Sequence, residues 1–349
     1  MPELRKDLVT REWVIIAPER ADRGGDFPWS AVEPPTAKDG ASCPFDRGRE
    51  GETPQEIAAY RPAGTAPNTP GWWVRVVPNK FPALTVEGEL SVRSVNIYEA
   101  MTGIGAHEVI IETAEHQASL ARLELKQVEE VVWMYRDRYL DLSRDRRFQY
   151  ILVFRNHRRG AGSSMAHAHS QLIATPVVPV AVRHEVEGLR QYAEYHNRCC
   201  AYCDMVAAEV ASGERVVAQN KEFIALEPFA SRFPFETWVF PRRHTPHFAA
   251  LTPEEVKDLA AILKETLLRI DVGLGDPPYN YFIHSVPLNM ERELAANFHW
   301  HLELIPRLTV AAGFELGTVM YINIMPPERA AQRLRQVDLG SLLGAEGKK

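Results

Sequence analysis

No stretch of this 349-residue chain holds the ~18 consecutive apolar residues that a membrane-crossing helix requires. The opening residues, MPELRKDLVTREW, lack the apolar centre and small-residue cleavage site of a secretory leader, so no signal peptide and a cytoplasmic location are expected. Lys and Arg nowhere cluster over a helix length, and 40 basic against 46 acidic residues leave a formal net charge of −6. That balance argues against nucleic acid as the main partner, while leaving room for a local basic pocket for phosphate. Cysteine is scarce, with four residues at 43, 199, 200 and 203. Without an export signal these do not make a disulfide framework. Cys200-Ala-Tyr-Cys203 reads instead as half a zinc site or a redox pair. The flanking YAEYHNRC and DMVAAEVASGE do not supply the strand–helix setting of a redox pair, which favours metal over redox; two buried thiols are the plainer alternative.

What is present is a soluble globular composition, 45% hydrophobic and 25% charged, in a chain long enough for two ordinary domains. The first 70 residues are rich in Pro, Gly and charge and read mostly as loop. Strands are expected in WVIIAPER (13–20), GWWVRVVPNKFPAL (71–84), FQYILVFRNH (148–157) and AHAHSQLIAT (166–175). A hairpin is expected over 94–113 with Gly103 and Gly105 near its turn, and a helix over 119–145. The second half repeats the order. ERVVAQNKEFIALEP, FETWVFPRR, YNYFIHSVP and NFHWHLELIPRL read as strands, and 252–270 reads as a helix with a Thr252/Glu255 capping box. Residues 112–131 lie over 240–259 without a gap, so that His116 falls on His244. Downstream, HAHSQ (167–171) falls on HWHLE (299–303), and upstream CPFD (43–46) falls on CAYC (200–203). Three landmarks in one order indicate an internal duplication. The expected fold is α+β: two half-domains, 1–178 and 179–349, each an antiparallel sheet with a packed helix.

Each half then offers four metal-ligand candidates. The first set is Cys43, Asp46, His116 and His167; the second is Cys200, Cys203, His244 and His299. Two ligands from a tight loop plus two separate histidines suit tetrahedral zinc, and four protein ligands make a structural site. Asp46 stands where the second set has a cysteine, so weaker chelation is expected in the first half.

His167, His169 and Gln171 alternate, and on a strand alternate residues face one way. If His167 holds a metal or a loop, His169 faces whatever docks on the sheet. A neutral imidazole is a competent nucleophile toward phosphorus near pH 7. Gln171 can donate its amide to a phosphoryl oxygen but cannot titrate, and the preceding GAGSSM offers small residues, Ser163, Ser164 and backbone N–H groups to cradle phosphate.

These residues carry a resemblance. VFRNHRRGAGSSMAHAHSQ resembles the active-site segment of the galactose-1-phosphate uridylyltransferases, a branch of the histidine-triad superfamily, whose signature is His-Pro-His-x-Gln; here Ala168 replaces the proline. The resemblance runs over nearly the whole chain. Through EWVIIAPERADR it implies phosphate contacts for Arg20 and Arg23. Through VVPNKFPAL it implies a nucleotide pocket at Asn79 and Phe81, and through AGFELG a hexose contact at Glu315; RFPFETWVFPRRH matches an internal strand. It implies two histidine-triad-like halves and a ping-pong exchange in which His169 takes the nucleotidyl group from a UDP-sugar and passes it to a hexose 1-phosphate. Gln171 and Ser164 would hold phosphoryl oxygens and Asn156 would brace the loop. A homodimer is implied too, with Trp72, Trp73 and Trp133 as exposed aromatics. The family's second hexose contact, a glutamine, has no counterpart in MYINIMPP, and the intact Cys-x-x-Cys is more similar to the ADP-glucose phosphorylase branch, which passes an adenylyl group to phosphate. Some uridylyltransferases instead build a metal site from a glutamate and three histidines, and Glu185, His284, His299 and His301 fall near those places. A catalytically weak nucleotide-binding module is the reading from another class; intact His169 and Gln171 argue against it.

Overall fold

A computed structural model describes residues 1–21, 43–116, 119–196 and 199–340. The chain starts with an antiparallel pair, β1 (Glu3–Lys6) and β2 (Trp13–Ile16). Next come β3 (Ala58–Tyr60), β4 (Val74–Pro78), the hairpin β5 (Val92–Val95) and β6 (Tyr98–Met101), and β7 (Ala106–Ile111). Helix α1 (Leu125–Leu142) precedes β8 (Tyr150–His157) and β9 (His169–Thr175). Helices α2 (Val180–Tyr195) and α3 (Ala201–Ser212) lead into β10 (Val216–Gln219), β11 (Phe223–Leu226) and β12 (Thr237–Pro241). Helix α4 (Pro253–Leu274) is followed by β13 (Tyr279–His284), β14 (His301–Pro306) and the two-residue β15 (Ile322–Asn323).

Ten of these strands form one antiparallel sheet in the order β10-β11-β12-β14-β13-β8-β9-β7-β4-β3. Its seam is β8 against β13, in register from Tyr279↔His157 to Ile283↔Val153. Outward from the seam the strands run β8, β9, β7, β4, β3 on one side and β13, β14, β12, β11, β10 on the other. The matching order is consistent with a duplication in an α+β fold. The halves are laced together as well: β15 joins β2 in parallel, with Ile322↔Ile15 and Asn323↔Ile16.

Helix α1 buries Val128, Val131, Val132, Met134, Tyr135, Tyr139 and Leu142 at helical spacing, and α4 buries Leu259, Leu263, Leu267 and Leu274 in the same core. Strand residues from both halves, Val153 and Leu302 among them, complete that core. Thr252 and Glu255 form the expected capping box at the start of α4.

Several expectations change. The expected helix over 119–145 is shorter, with a 3₁₀ turn at Leu120–Arg122 ahead of α1. The hairpin turns at Asn96, in the left-handed region at φ 58°, not near Gly103 and Gly105, and β7 belongs to the large sheet. Gly105 serves close approach instead, since a Cβ there would lie 2.5 Å from the Ala174 carbonyl oxygen and from Leu84. Strand β9 begins at His169, so His167 precedes it. Helices α2 and α3 were not anticipated. Gly188 weakens the helical signal of α2, yet the Val9 carbonyl oxygen would lie 1.8 Å from any Cβ placed there.

Candidate active site and metal centres

β9 lies between β7 and β8, with His169 opposite Ile111 and Gln171 opposite Val109 on one side and Phe154 on the other. The polypeptide reaches β9 through a loop that starts at Arg158 (φ 63°), makes a 3₁₀ turn over Arg159–Ala161 and reverses at Gly162 (φ 91°). Asn280 of β13 braces it by donating from Nδ2 to Asn156 Oδ1 and to the Ala161 carbonyl, both at 2.8 Å. Asn156 thus braces the loop through Asn280. The amides of Ala161, Gly162 and Ser163 close the turn onto the carbonyls of Arg158 and Arg159. The expected cradle of N–H groups is therefore directed inward at these three residues. Ser163 is buried and donates its hydroxyl to the Met165 carbonyl at 2.7 Å, whereas Ser164 is exposed.

His169 is buried, and its Nδ1 donates to the His167 carbonyl at 2.8 Å. That bond puts the remaining lone pair on Nε2. Burial pushes the imidazole below its ordinary value, which favours the neutral ring. Its own carbonyl accepts from Arg155 Nη1 at 3.3 Å. Beneath it, Arg155 pairs with Glu112, which also accepts from Ser170 and, at 3.0 Å, from the Tyr135 hydroxyl. A buried charge pair with each oxygen of Glu112 engaged makes a stiff floor under the histidine. Gln171 Oε1 lies 2.8 Å from His107 Nε2 and 3.4 Å from Asn79 Nδ2. Asn79 therefore does join the site, and the ring of its neighbour Phe81 is 84% exposed beside it.

The four first-half candidates converge. Asp46 Oδ1 lies 2.7 Å from His116 Nδ1 and 3.2 Å from His167 Nδ1, and Cys43 Sγ lies 3.8 Å from His167 Nδ1. Burial opposes ionisation of Asp46, but the hydrogen bond and charge of His116 hold it below the ordinary carboxylate value. His167 Nε2 donates to the Thr113 carbonyl at 2.7 Å, leaving Nδ1 as the lone-pair nitrogen that faces Cys43 and Asp46. The second set repeats this. Cys203 Sγ lies 3.3 Å from His244 Nδ1 and 3.5 Å from His299 Nδ1, while His244 Nε2 donates to the Ala295 carbonyl at 2.9 Å. Both sets fit a metal: within each, the four donor atoms lie within 4.8 Å of one another, and His167 and His244 each keep Nε2 on a backbone carbonyl with Nδ1 turned to the other donors. Glu185, His284 and His301 form a third group, with Glu185 Oε2 3.0 Å from His284 Nδ1. His299, expected in that group as well, turns its Nδ1 to Cys203 instead.

His301 repeats the pose of His169, with Nδ1 3.2 Å from the His299 carbonyl. It is nevertheless fully buried, stacked on Phe240 at 5.0 Å and next to Tyr202 and Trp238. Glu303 takes the place of Gln171 and is paired with Arg232. The second half thus keeps the histidine and fills the space in front of it.

Arg20 ends a 3₁₀ turn after β2, and Glu315 lies in the short helix Gly313–Thr318, where it accepts from the Ala312 amide at 2.9 Å. Among the described residues no hydrogen bond ties either to His169 or Gln171, and Arg23 lies outside the described residues. Sequence reasoning missed two residues of the site. One is His107, which holds Gln171. The other is Phe45, whose ring centroid lies 5.9 Å from that of His167 and 5.5 Å from that of His169. Phe45 was in view only as part of CPFD, between two ligand candidates.

The family model for the N-terminal domain of galactose-1-phosphate uridyl transferase matches residues 1–179, and a model described as a domain of unknown function, DUF4921, matches 98–340. ADP-glucose phosphorylase of Arabidopsis thaliana is 37% identical over 340 residues, covering 97% of this chain and 93% of that protein. Galactose-1-phosphate uridylyltransferase of Thermotoga maritima is 29% identical over 347 residues, covering 97% and 99%. The crystal structure of the Arabidopsis ADP-glucose phosphorylase with bound ADP-glucose superposes with a TM-score of 0.81 at 35% identity, covering 97% of this chain and all of that one.

Proposed function

We propose a covalent two-step nucleotidyl transfer from one premise: the chain belongs to the galactose-1-phosphate uridylyltransferase family. The observation that carries the reading is His169, neutral, with Nδ1 bonded to a backbone carbonyl and Nε2 left to attack, two residues before an amide that can donate to phosphate. Nε2 attacks the α-phosphorus of a nucleotide sugar. The bond from that phosphorus to the bridging oxygen breaks, and hexose 1-phosphate leaves with the electron pair. An oxygen of a second phosphate then attacks the same phosphorus, the N–P bond breaks, and His169 is restored. The amide N–H of Gln171 stabilises charge on the phosphoryl oxygens in both steps. Because Gln171 cannot titrate, it offers no proton relay to water.

Two nucleotides fit this chemistry. Exchange of UMP between a UDP-sugar and a hexose 1-phosphate follows from the active-site segment. Adenylyl transfer from ADP-glucose to inorganic phosphate has the stronger support, because identity to the Arabidopsis phosphorylase is 37% against 29% for the Thermotoga uridylyltransferase over equal coverage of this chain. We read Cys200, Cys203, His244 and His299 as a structural zinc site, since thiolate and imidazole donors suit that ion and four protein ligands close it. The test is the mass of the intact protein after UDP-glucose alone or ADP-glucose alone. One of them should add a single nucleotidyl group, and His169→Ala should abolish the adduct with the fold intact. An adduct that persists on His169→Ala overturns the assignment.

A further inference from the structure

His107 sits on β7 one diagonal step from Gln171: it pairs with Ile173, and Val109 pairs with Gln171. Its bonds settle a question that resolves neither by charge nor by sequence, namely which edge of the Gln171 amide faces the pocket. The Ala83 amide donates to His107 Nδ1 at 3.1 Å. A backbone N–H can only donate, so Nδ1 carries no proton and Nε2 of the neutral ring carries it. That proton goes to Gln171 Oε1, 2.8 Å away. Asn79 is fixed in the same way: the Phe81 amide donates to its Oδ1 at 2.9 Å, which leaves Nδ2 to donate to Gln171 Oε1 at 3.4 Å. Two backbone amides therefore dictate a one-way chain of donors that ends on the Gln171 carbonyl oxygen. The NH₂ edge is held on the opposite side of the amide. The Asn79 backbone amide also donates to the His107 carbonyl at 2.8 Å, so residues 79–83 are docked on His107 at two points: this amide and that of Ala83.

We propose that His107 is a positioning residue for the transfer: it fixes Gln171 with its N–H edge toward the transferring phosphoryl group and ties that orientation to the docked segment 79–83. The inference rests on the proposed nucleotidyl transfer. Without the donor on His107 the amide is free to turn, and a turned amide sets a carbonyl lone pair against a phosphoryl oxygen.

The experiment is single-turnover formation of the nucleotidyl enzyme, with whichever of UDP-glucose and ADP-glucose charges the wild type. His107→Leu has no donor and should slow charging about 100-fold, the scale of losing a transition-state donor, with apparent KM within about threefold. His107→Gln restores a donor at the position of Nε2 and should recover most of the rate. Charging of His107→Leu within about threefold of wild type overturns the proposal, as do Leu and Gln variants that are equally slow. Should the Leu variant fail to fold, Gln and Glu at this position have one shape and differ in the donor, and equal rates for those two overturn it. A wild type that neither nucleotide sugar charges refutes the transfer itself and takes this inference with it, an outcome distinct from a charged wild type with an indifferent His107.

Discussion

Glu227 follows β11 with its carboxyl fully buried, one oxygen accepting from Thr237 Oγ1 at 3.3 Å and the other without a partner among the described residues. Burial, then the charge of nearby Glu236, push its carboxyl well above the ordinary 4.5. The folded state therefore binds a proton that the unfolded chain gives up above that value. The stabilisation is complete below pH about 4.5 and is lost as pH rises toward the folded-state value. Glu227→Gln removes the proton linkage and keeps the acceptor. At pH 8 it should melt at least about 2 °C above wild type, and the difference should close by pH 4. Melting curves across that range decide it; a difference independent of pH would mean that Glu227 is ionised in the fold. Residues of this kind were not legible in the sequence, because their chemistry comes from neighbours brought in by folding. His107 is the sharper case. Its partner Gln171 lies 64 residues away in the chain, and only the β7–β9 register joins them. His169 and Gln171 were legible because strand alternation is local, and the spacing alone puts them on one face.

The elements divide along the same line. α4 announced itself, with a Thr252/Glu255 box and a continuous apolar stripe. α3 did not, although its first turn holds the plainest motif in the chain. Cys200 is its N-cap residue and Cys203 lies one turn in, which aims both thiols at His244 and His299. The hydrogen bond between the thiols lowers Cys203 and raises Cys200. α3 contributes Tyr202 and Val206 to a small core with Trp238, Phe240 and Phe298. A metal on these four donors would pin the helix start to two segments from the far side of that core. Purified protein should carry at least one zinc per chain, and Cys200→Ser should lose it and lower the melting temperature by several degrees. Metal-free protein with unchanged melting would overturn the site. Asp46 in the first set should make that site the weaker of the two, and a chelator should then strip it first.

At the scale of the molecule three pairs of landmarks pointed to a duplication, with which the strand order is consistent, but the sequence carried no sign that the two halves share one sheet. A seam between edge strands depends on which edges are left open, and that is decided only once each half has formed. Here β8 and β13 pair over five residues, and α1 and α4 bury their apolar faces in one core with residues from both sides of the seam. β2 and β15 add a second crossing from opposite ends of the chain. Separating the halves would expose two strand edges and split that core, so neither half gains stability by unfolding alone. Denaturation should therefore be a single transition. Far-UV circular dichroism should lose helix and sheet at the same urea concentration at which fluorescence reports exposure of Trp72 in the first half, buried in the fold and not exposed as expected, and of the equally buried Trp300 in the second. Hydrogen exchange sharpens the test. The amides of β8 and β13 should exchange with one common free energy, equal to that of global unfolding. Two separated transitions, or a β13 that opens while β8 stays protected, would mean that the seam is a contact between independent domains. β8, the neighbour of the strand that carries His169, would then be a sheet edge in the opened form, and Asn280 of β13, which braces the loop before His169, would no longer hold the loop in place.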